Sequence, residues 1–388
     1  MDSLKDRAAI VGVGWTQFSR NSGASVLSLA VEACKKAIDD AGLSVKEIDG
    51  VVTHNMGDSV MPQEVATCLG LPNLGYHLEY WGGGPVGCQI VINAAMAVAT
   101  GMARHVVCFR ALNGRSGRRL GGTDERPPTT GEAQFLIPYG WTSFVHAFAH
   151  MARRHMIEYG TTPRQMGLVA VAERKHASMN HRAMMRTPIT LDNYFASRMM
   201  VDPFRLLDIC LETDGGCAVV VTSAERAKDL RHRPVYIMGA AIGSGPDPTP
   251  YGLHTFGWLR GSHTVLYGKY ISPQLYRMAG ITPEDIDVAE LYDEMTIAVL
   301  VQLEDFGFCE KGEGGPFVEE GRIEIGRELP VNTHGGFLSE GYLHGLNHIA
   351  EAVSQLRSDA GPRQVEDAEI ALCTSLGMQA GSALILRR

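Results

Sequence analysis

The chain has 388 residues, 45% hydrophobic and 20% charged, which suffices for two core-forming units or one large duplicated α/β unit and excludes disorder. A formal net charge of −8, with no long Lys/Arg block, excludes the basic surface that a nucleic-acid backbone selects. No signal-peptide pattern and no run of about 18 apolar residues occurs, so a cytoplasmic protein without a membrane partner is expected.

Along the chain, "AAIVGVG" (8 to 14) predicts a strand. "SVLSLAVEACKKAIDDAG" (25 to 42) predicts a helix with Leu27, Ala30, Val31, Cys34, Ile38 and Ala41 on its buried stripe and Gly42 as its stop. "DGVVTH" (49 to 54) is a strand and "PQEVATCLGL" a short helix. "YWGGGPVGCQIVINAAMAVATG" (80 to 101) is a glycine-rich turn entering a helix, and "HVVCFRA" (105 to 111) is a strand. This β-α-β-α-α-β order is that of a buried parallel or mixed sheet covered by helices. Residues 113 to about 205 break the rhythm and read as an insertion capping the sheet.

The sheet pattern resumes with "DGGCAVVVTS" (214 to 223) and "PVYIMGAAIGS" (234 to 244), read as adjacent strands. In the last third, "VAELYDEMTIAVLVQLEDFG" (288 to 307) is a strand turning into a helix, and "NTHGGFLSEGYLHGLNHIAEAVSQLR" (332 to 357) is a glycine-rich loop and then a helix. "AEIALCTSLGMQAGSALILRR" (368 to 388) is a strand, a turn and a strand. One glycine-rich strand-to-helix passage per half predicts an internal duplication, 1–230 and 231–388, with the active site between the halves. The eight cysteines form no CxxC pairs and predict buried thiols, with neither a disulfide framework nor a zinc ribbon.

This order of motifs resembles the thiolase-like superfamily, in its sterol-carrier-protein (lipid-transfer) type. The resemblance rests on "AIVGVGWTQF", "MVDPFRLLDICLETDGGCAVVVTSAERA", "VAELYDEMTIAVL", "NTHGGFLSEGYLHG" and "LGMQAGSALIL", and it spans essentially the whole chain. It implies an α/β thiolase fold, two pseudo-twofold-related halves in five αβαβα layers, and a homodimer. Three positions depart from the thiolase pattern together. Gly84 stands where the nucleophilic cysteine belongs, Tyr292 replaces the histidine of the H-D-x-F helix start, and Tyr342 replaces that of G-H-P-L-G. The same pattern is similar to the steroid side-chain aldolases of bacterial catabolism. That likeness implies retro-aldol cleavage of a steroid hydroxyacyl-CoA to a 17-ketosteroid and propionyl-CoA, and a hydratase partner carrying an OB-fold, zinc-ribbon domain.

Without a thiolate there is no acyl-enzyme, so a one-step reaction on an acyl-CoA is the natural expectation. Cleaving a β-hydroxyacyl-CoA needs a base for the alcohol, a hole for the enolate and an acid for the departing carbanion. Tyr292 and Tyr342 are expected to divide the proton transfers, with His344 or His334 tuning them. Amides at the helix start around Gly84 and in the turn at Gly377 are expected to bind the oxyanion, and Asn332 and Gly336 are placed with them as substrate- or oxyanion-binding residues that also shape the loop. Arg115 and Arg118 are candidates for the CoA phosphates. Coenzyme A is part of the substrate, and no further cofactor and no metal are expected.

Blander readings compete at several of these positions. Cys88 falls one helical turn beyond Gly84 and reads as a buried thiol, and Cys373 lies near the place of a second thiolase cysteine. His146 with His150, and His344 with His348, have i, i+4 spacing without the HExxH glutamate, so structural roles are expected. Asp293 and Glu294 read as complements to a helix dipole. Two other functions remain open at this point: a thiolase-type transferase using a displaced cysteine, and a non-catalytic lipid or acyl-CoA scaffold.

Overall fold

The computed structural model describes residues 4–117, 119, 133–141, 143–245, 262–378 and 380–388. The first half alternates β1 (Ala8–Trp15), α1 (Val26–Asp40), β2 (Gly50–Asn55), α2 (Pro62–Leu69), β3 (Tyr76–Trp81), α3 (Gly87–Ala99) and β4 (His105–Asn113). There follow α4 (Ala133–Leu136), α5 (Phe144–Tyr159), α6 (Pro163–Ser178), α7 (Leu191–Ala196) and a small hairpin, β5 (Met199–Val201) with β6 (Phe204–Arg205). The chain then returns through β7 (Asp214–Ser223), α8 (Ala224–Ala227), β8 (Val235–Gly243), α9 (Gly268–Ala279), β9 (Val288–Glu290) and α10 (Thr296–Asp305). It ends with α11 (Gly314–Val318), α12 (Leu346–Leu356), β10 (Ile370–Leu376) and β11 (Gly381–Arg387).

The large strands make one nine-stranded sheet in the order β3-β2-β4-β7-β1-β8-β11-β10-β9. Its two parts repeat one topology. β2 is parallel to β4, β4 antiparallel to β7, and β7 antiparallel to β1. In the same way β9 is parallel to β10, β10 antiparallel to β11, and β11 antiparallel to β8. The parts meet where β1 pairs with β8 through Ala9↔Tyr236 and Ile10↔Val235. Among the described residues only β3 lacks a counterpart.

The core separates accordingly. One cluster joins Leu29, Ala33 and Ile38 of α1 to Val51, Val107 and Val220 of the first half. A second sets Ile90 and Ala94 of α3 with Ile349 and Val353 of α12, against strands of both halves. A third joins Ile271 and Leu275 of α9 and Val299 of α10 to Leu372 and Ile385. Helix, sheet, helix, sheet, helix is the five-layered αβαβα arrangement of the thiolase fold. Among the described residues no helix is long and apolar enough to cross a membrane.

The structure corrects four local expectations. Residues Tyr76–Trp81 form a strand ahead of α3, with side chains alternating between half-buried and exposed along an edge; the alternation of Tyr76, Leu78 and Tyr80 with His77 and Glu79 is short and runs straight into the glycine-rich turn. β7 and β8 are separated by β1, which pairs antiparallel with both. The inserted helices α5 and α6 pack on α10 and α11 rather than over the sheet. In α1 the buried face is Leu29, Ala30, Ala33, Cys34, Ala37 and Ile38, so Leu27 and Val31 lie at its margin.

Two glycines explain that rotation of α1. A Cβ at Gly14 would lie 2.4 Å from both Ala33 O and Ala37 N, and one at Gly12 would lie 2.1 Å from Ala37 O. The helix backbone therefore rests directly on β1, and only alanines fit between them. Replacing Gly14 with alanine is expected to cost about 2–3 kcal/mol of stability through overpacking, measured as a lower urea midpoint with an unchanged denaturant slope.

Candidate active site

Tyr292 follows the end of β9 in a stretch held at every backbone group. Leu291 N–H donates to Asn332 Oδ1 (2.7 Å) and Tyr292 N–H to Thr374 Oγ1 (2.8 Å), while Tyr292 C=O accepts from Gln302 Nε2 (2.7 Å). Its ring is fully buried. Tyr342 arrives from the glycine-rich loop, with its N–H donating to Thr213 Oγ1 (2.9 Å). The two hydroxyls lie 2.7 Å apart and hydrogen-bond. Phe337 packs edge-on against both rings, with centroids 4.7 Å away in each case. Tyr342 is half-buried, so the pair has one inner and one outer member.

Gly84 closes this site from the other half. A Cβ there would meet Leu376 O at 2.1 Å and Tyr292 Oη at 2.6 Å. No side chain can stand at position 84 while Tyr292 keeps its place. Residues Gly84–Val86 form a single 3-10 turn, and α3 begins only at Gly87. At that start the Cys88 N–H already donates to Ser375 Oγ (2.8 Å). The Gly377 N–H is likewise engaged, closing the β10–β11 turn on Ala380 O (2.9 Å). Of the backbone donors expected for an oxyanion, these two are committed to internal bonds.

Asn332 and Gly336 lie behind the tyrosines. Asn332 Nδ2 donates to Glu173 Oε1 (2.8 Å) while its Oδ1 holds Leu291, so the amide brackets β9 to α6. Gly336 has a φ of +59°, and a Cβ on it would lie 2.2 Å from Asp293 Oδ2 and 2.6 Å from Glu173 Oε2. Asp293 does not complement the α10 dipole. Its Oδ2 accepts from the amides of Phe337 (2.6 Å) and Leu338 (3.1 Å), and its Oδ1 lies 2.9 Å from His348 Nε2. Burial, and then the charge of Asp293, push the Glu173 carboxyl well up. Burial and the same neighbour push Glu294 up as well.

Below the loop lies a buried ionic cluster. His334 Nδ1 pairs with Glu290 (2.9 Å), and its Nε2 lies 3.6 Å from Glu340. Burial opposes its charge, but Glu340 and Glu290 raise it to about 9. Glu351 accepts from Arg363 (2.8 Å) and Arg182 (3.2 Å). Burial opposes its charge too, yet these arginines hold it down at about 2.

His344 stands beside Tyr342, with ring centroids 4.5 Å apart, and it contacts a residue that the sequence did not flag. Arg110 of β4, fully buried, donates from Nε to His344 Nδ1 (3.2 Å) and from a terminal nitrogen to His54 O (3.2 Å), and forms an ion pair with Asp58. A lone arginine inside an apolar strand gives little signal beyond the cost of burying it.

Arg115 and its neighbour Arg119 both pair with Glu212, at 3.8 and 2.6 Å; Arg118 lies outside the described residues. Cys88 is fully buried, accepts from Ser375 Oγ (3.3 Å), and is pushed by burial up to about 12. Burial and Cys88 push Cys373 well up also. His146 and His150 flank the Trp141 ring, at 6.2 and 4.8 Å.

A sequence model of the thiolase C-terminal domain-like family matches residues 262–388. The chain is 46% identical to the 17-hydroxy-3-oxo-4-pregnene-20-carboxyl-CoA lyase of Mycobacterium tuberculosis, over 91% of this chain and 92% of that protein. The chain belongs to the aldolase family of the thiolase superfamily. Among solved structures, the Ltp2-ChsH2(DUF35) aldolase superposes on this thiolase-fold aldolase with a TM-score of 0.93 at 44% identity, covering 100% of this chain and 99% of that one. Human mitochondrial 3-ketoacyl-CoA thiolase shares the fold, with a TM-score of 0.72 at 15% identity over 100% and 99% of the two chains.

Two outcomes test the geometry of this aldolase. Gly84→Ala is expected to displace Tyr292 and lower kcat/KM by about 10²-fold while the far-ultraviolet spectrum is unchanged. The His334 imidazolium has a raised folded-state pKa of about 9. Its stabilisation is therefore complete below its unfolded value of about 6.5 and lost as pH rises through that raised value. The wild-type urea midpoint should fall across that window, and His334→Asn should flatten the fall.

Proposed function

We propose that the chain is a carbon–carbon lyase that cleaves a branched β-hydroxyacyl-CoA by a retro-aldol step with no covalent cysteine intermediate. The observation that carries this reading is the pair of tyrosine hydroxyls 2.7 Å apart, pressed against a glycine where a nucleophile would otherwise sit. In the reaction the β-hydroxyl gives up its proton, the Cα–Cβ bond breaks, and its electrons move into the thioester as an enolate. A ketone leaves, and the enolate is protonated at Cα.

One proton thus travels from the substrate oxygen to the substrate carbon. A hydrogen-bonded phenol pair can carry it as a relay: one hydroxyl accepts the substrate proton as it passes its own to the second, and the second protonates carbon. Neither phenol then has to be ionised beforehand. The likeness to the pregnene-carboxyl-CoA lyase favours a steroid side-chain hydroxyacyl-CoA, with a 17-ketosteroid and propionyl-CoA as products. The only coenzyme this reading requires is the CoA of the substrate.

The partner in the related aldolase complex supports a hydratase-linked partner carrying an OB-fold and zinc ribbon. We place the enzyme in the cytoplasm as a homodimer, with the open edge of β3 as the surface for a second copy. At the active site, the tilted contact of His344 with Tyr342 supports an auxiliary role for His344. Two committed amides leave oxyanion binding to the remaining backbone of the Gly84 turn.

Tyr292→Phe and Tyr342→Phe are each expected to lower kcat by about 10²–10⁴-fold, followed as release of the short acyl-CoA and ketone by chromatography. The variant with both Cys88 and Cys373 changed to serine should keep turnover. An acyl-enzyme seen by mass spectrometry would overturn the reading in favour of thiolase-type transfer, and full activity in both phenylalanine variants would overturn the tyrosine relay.

A further inference from the structure

Arg110 lies outside the tyrosine pair and is not explained by the reaction written above. It is fully buried, on the strand that faces the glycine-rich loop across the junction of the halves. A guanidinium has donors and no acceptor, so its Nε–H bond to His344 Nδ1 is possible only if that nitrogen carries a lone pair. The proton of a neutral His344 is therefore on Nε2. Asp58 completes the arrangement from behind, paired with Arg110 with both side chains buried. The backbone of His344 is itself held in the left-handed region, at a φ of +53°. A strained, buried histidine with a fixed tautomer is an arrangement that packing alone does not require.

We propose that Arg110, braced by Asp58, is a positioning residue for the reaction: it fixes His344 as the neutral Nε2–H tautomer and keeps it a hydrogen-bond donor beside Tyr342, never an acid. The groups facing His344 are Arg110 and His54 from two strands of the first half, Asp58 from the loop after β2, and Tyr342 from its own segment. Burial, and then the positive charge of Arg110, hold His344 well below its ordinary range. A second positive charge beside the guanidinium would be repelled. The consequence for catalysis is insulation: His344 adds no acid proton to those of the two phenols. This inference rests on the retro-aldol reading for its kinetic part only.

The test uses full-length protein labelled with ¹⁵N-histidine, comparing wild type, Arg110→Met, and the double variant Asp58→Asn/Arg110→Met. The double variant removes both buried charges together and so avoids the stranded carboxylate that could unfold the single one. The His344 signal is identified by its loss in His344→Gln made in each background.

In the wild type, His344 should show the Nε2–H tautomer and no titration from about pH 5.5 to 8.5. Without Arg110 its titration should move up toward the ordinary value of about 6.5 without reaching it, because burial still opposes the charged ring. kcat/KM should then gain an acid limb, with the loss growing as pH falls toward about 5.5 and vanishing toward about 8.5. Arg110→Lys, which keeps the charge, should restore much of the flat profile.

A wild-type His344 protonated on Nδ1 overturns the proposal. So does a double variant in which His344 keeps the pure Nε2–H tautomer and the wild-type titration, or one in which it titrates while kcat/KM keeps the wild-type pH profile. If the wild type cleaves no hydroxyacyl-CoA at all, the spectra still decide the tautomer, and only the reaction assignment falls.

Discussion

The contact between the Gly84 backbone and the Tyr292 hydroxyl governs the rest of the site. An atom added at position 84 would sit inside hydrogen-bonding distance of that hydroxyl and against the Leu376 carbonyl. A side chain at position 84 and this tyrosine are mutually exclusive occupants of one volume. Leu376 belongs to the last strand pair, Tyr292 to the segment after β9, and Gly84 to the turn before α3. The contact therefore fastens the first half to the second at the tyrosine pair.

The second tyrosine depends on a different kind of support. Its loop is held by buried charges rather than by apolar packing: His334 between Glu290 and Glu340, Glu351 between Arg182 and Arg363, and Asp293 across the amides of Phe337 and Leu338. Such groups are costly to bury singly and acceptable when each is satisfied. Their directionality places Tyr342 to within a hydrogen bond of Tyr292, which undirected hydrophobic contact does not do. Glu173, Asn180 and Arg182 come from α6 and the loop that follows it, so the insertion contributes part of the frame on which the outer tyrosine is set.

Much of the fold was legible because buried strands and amphipathic helices write their periods into the sequence. β1, β2, β4 and β7 through β11 were each readable as apolar runs. β3 was not, since its short alternation of Tyr76, Leu78 and Tyr80 with polar residues contains no β-branched residue and runs into the glycine-rich turn. At the site, Tyr292, Tyr342 and Gly84 stood out because three catalytic positions changed together. The companions did not: Arg110 is one charge in an apolar strand, and its partners His344 and Asp58 are distant in sequence. Asn332, Gly336 and Gly377 were recognisable as special but not in what they do. A side chain's hydrogen-bond partner, or an amide closing a turn, is a property of the assembled backbone. Arg115 looked free because Glu212, its counter-charge, lies across the insertion.

The repeat between the halves is incomplete in one place. β3 has no equivalent, and at the opposite end of the sheet β9 is covered through Ala289 by the chain at Val331. Among the described residues this leaves the sheet one free margin, tipped by Trp81, which is 72% exposed. A molecule with two such margins can add copies indefinitely and grow into a filament. A molecule with one can be joined once by its own likeness, after which neither copy has a margin left to offer. For a sheet with a single margin, growth by strand pairing ends with a pair.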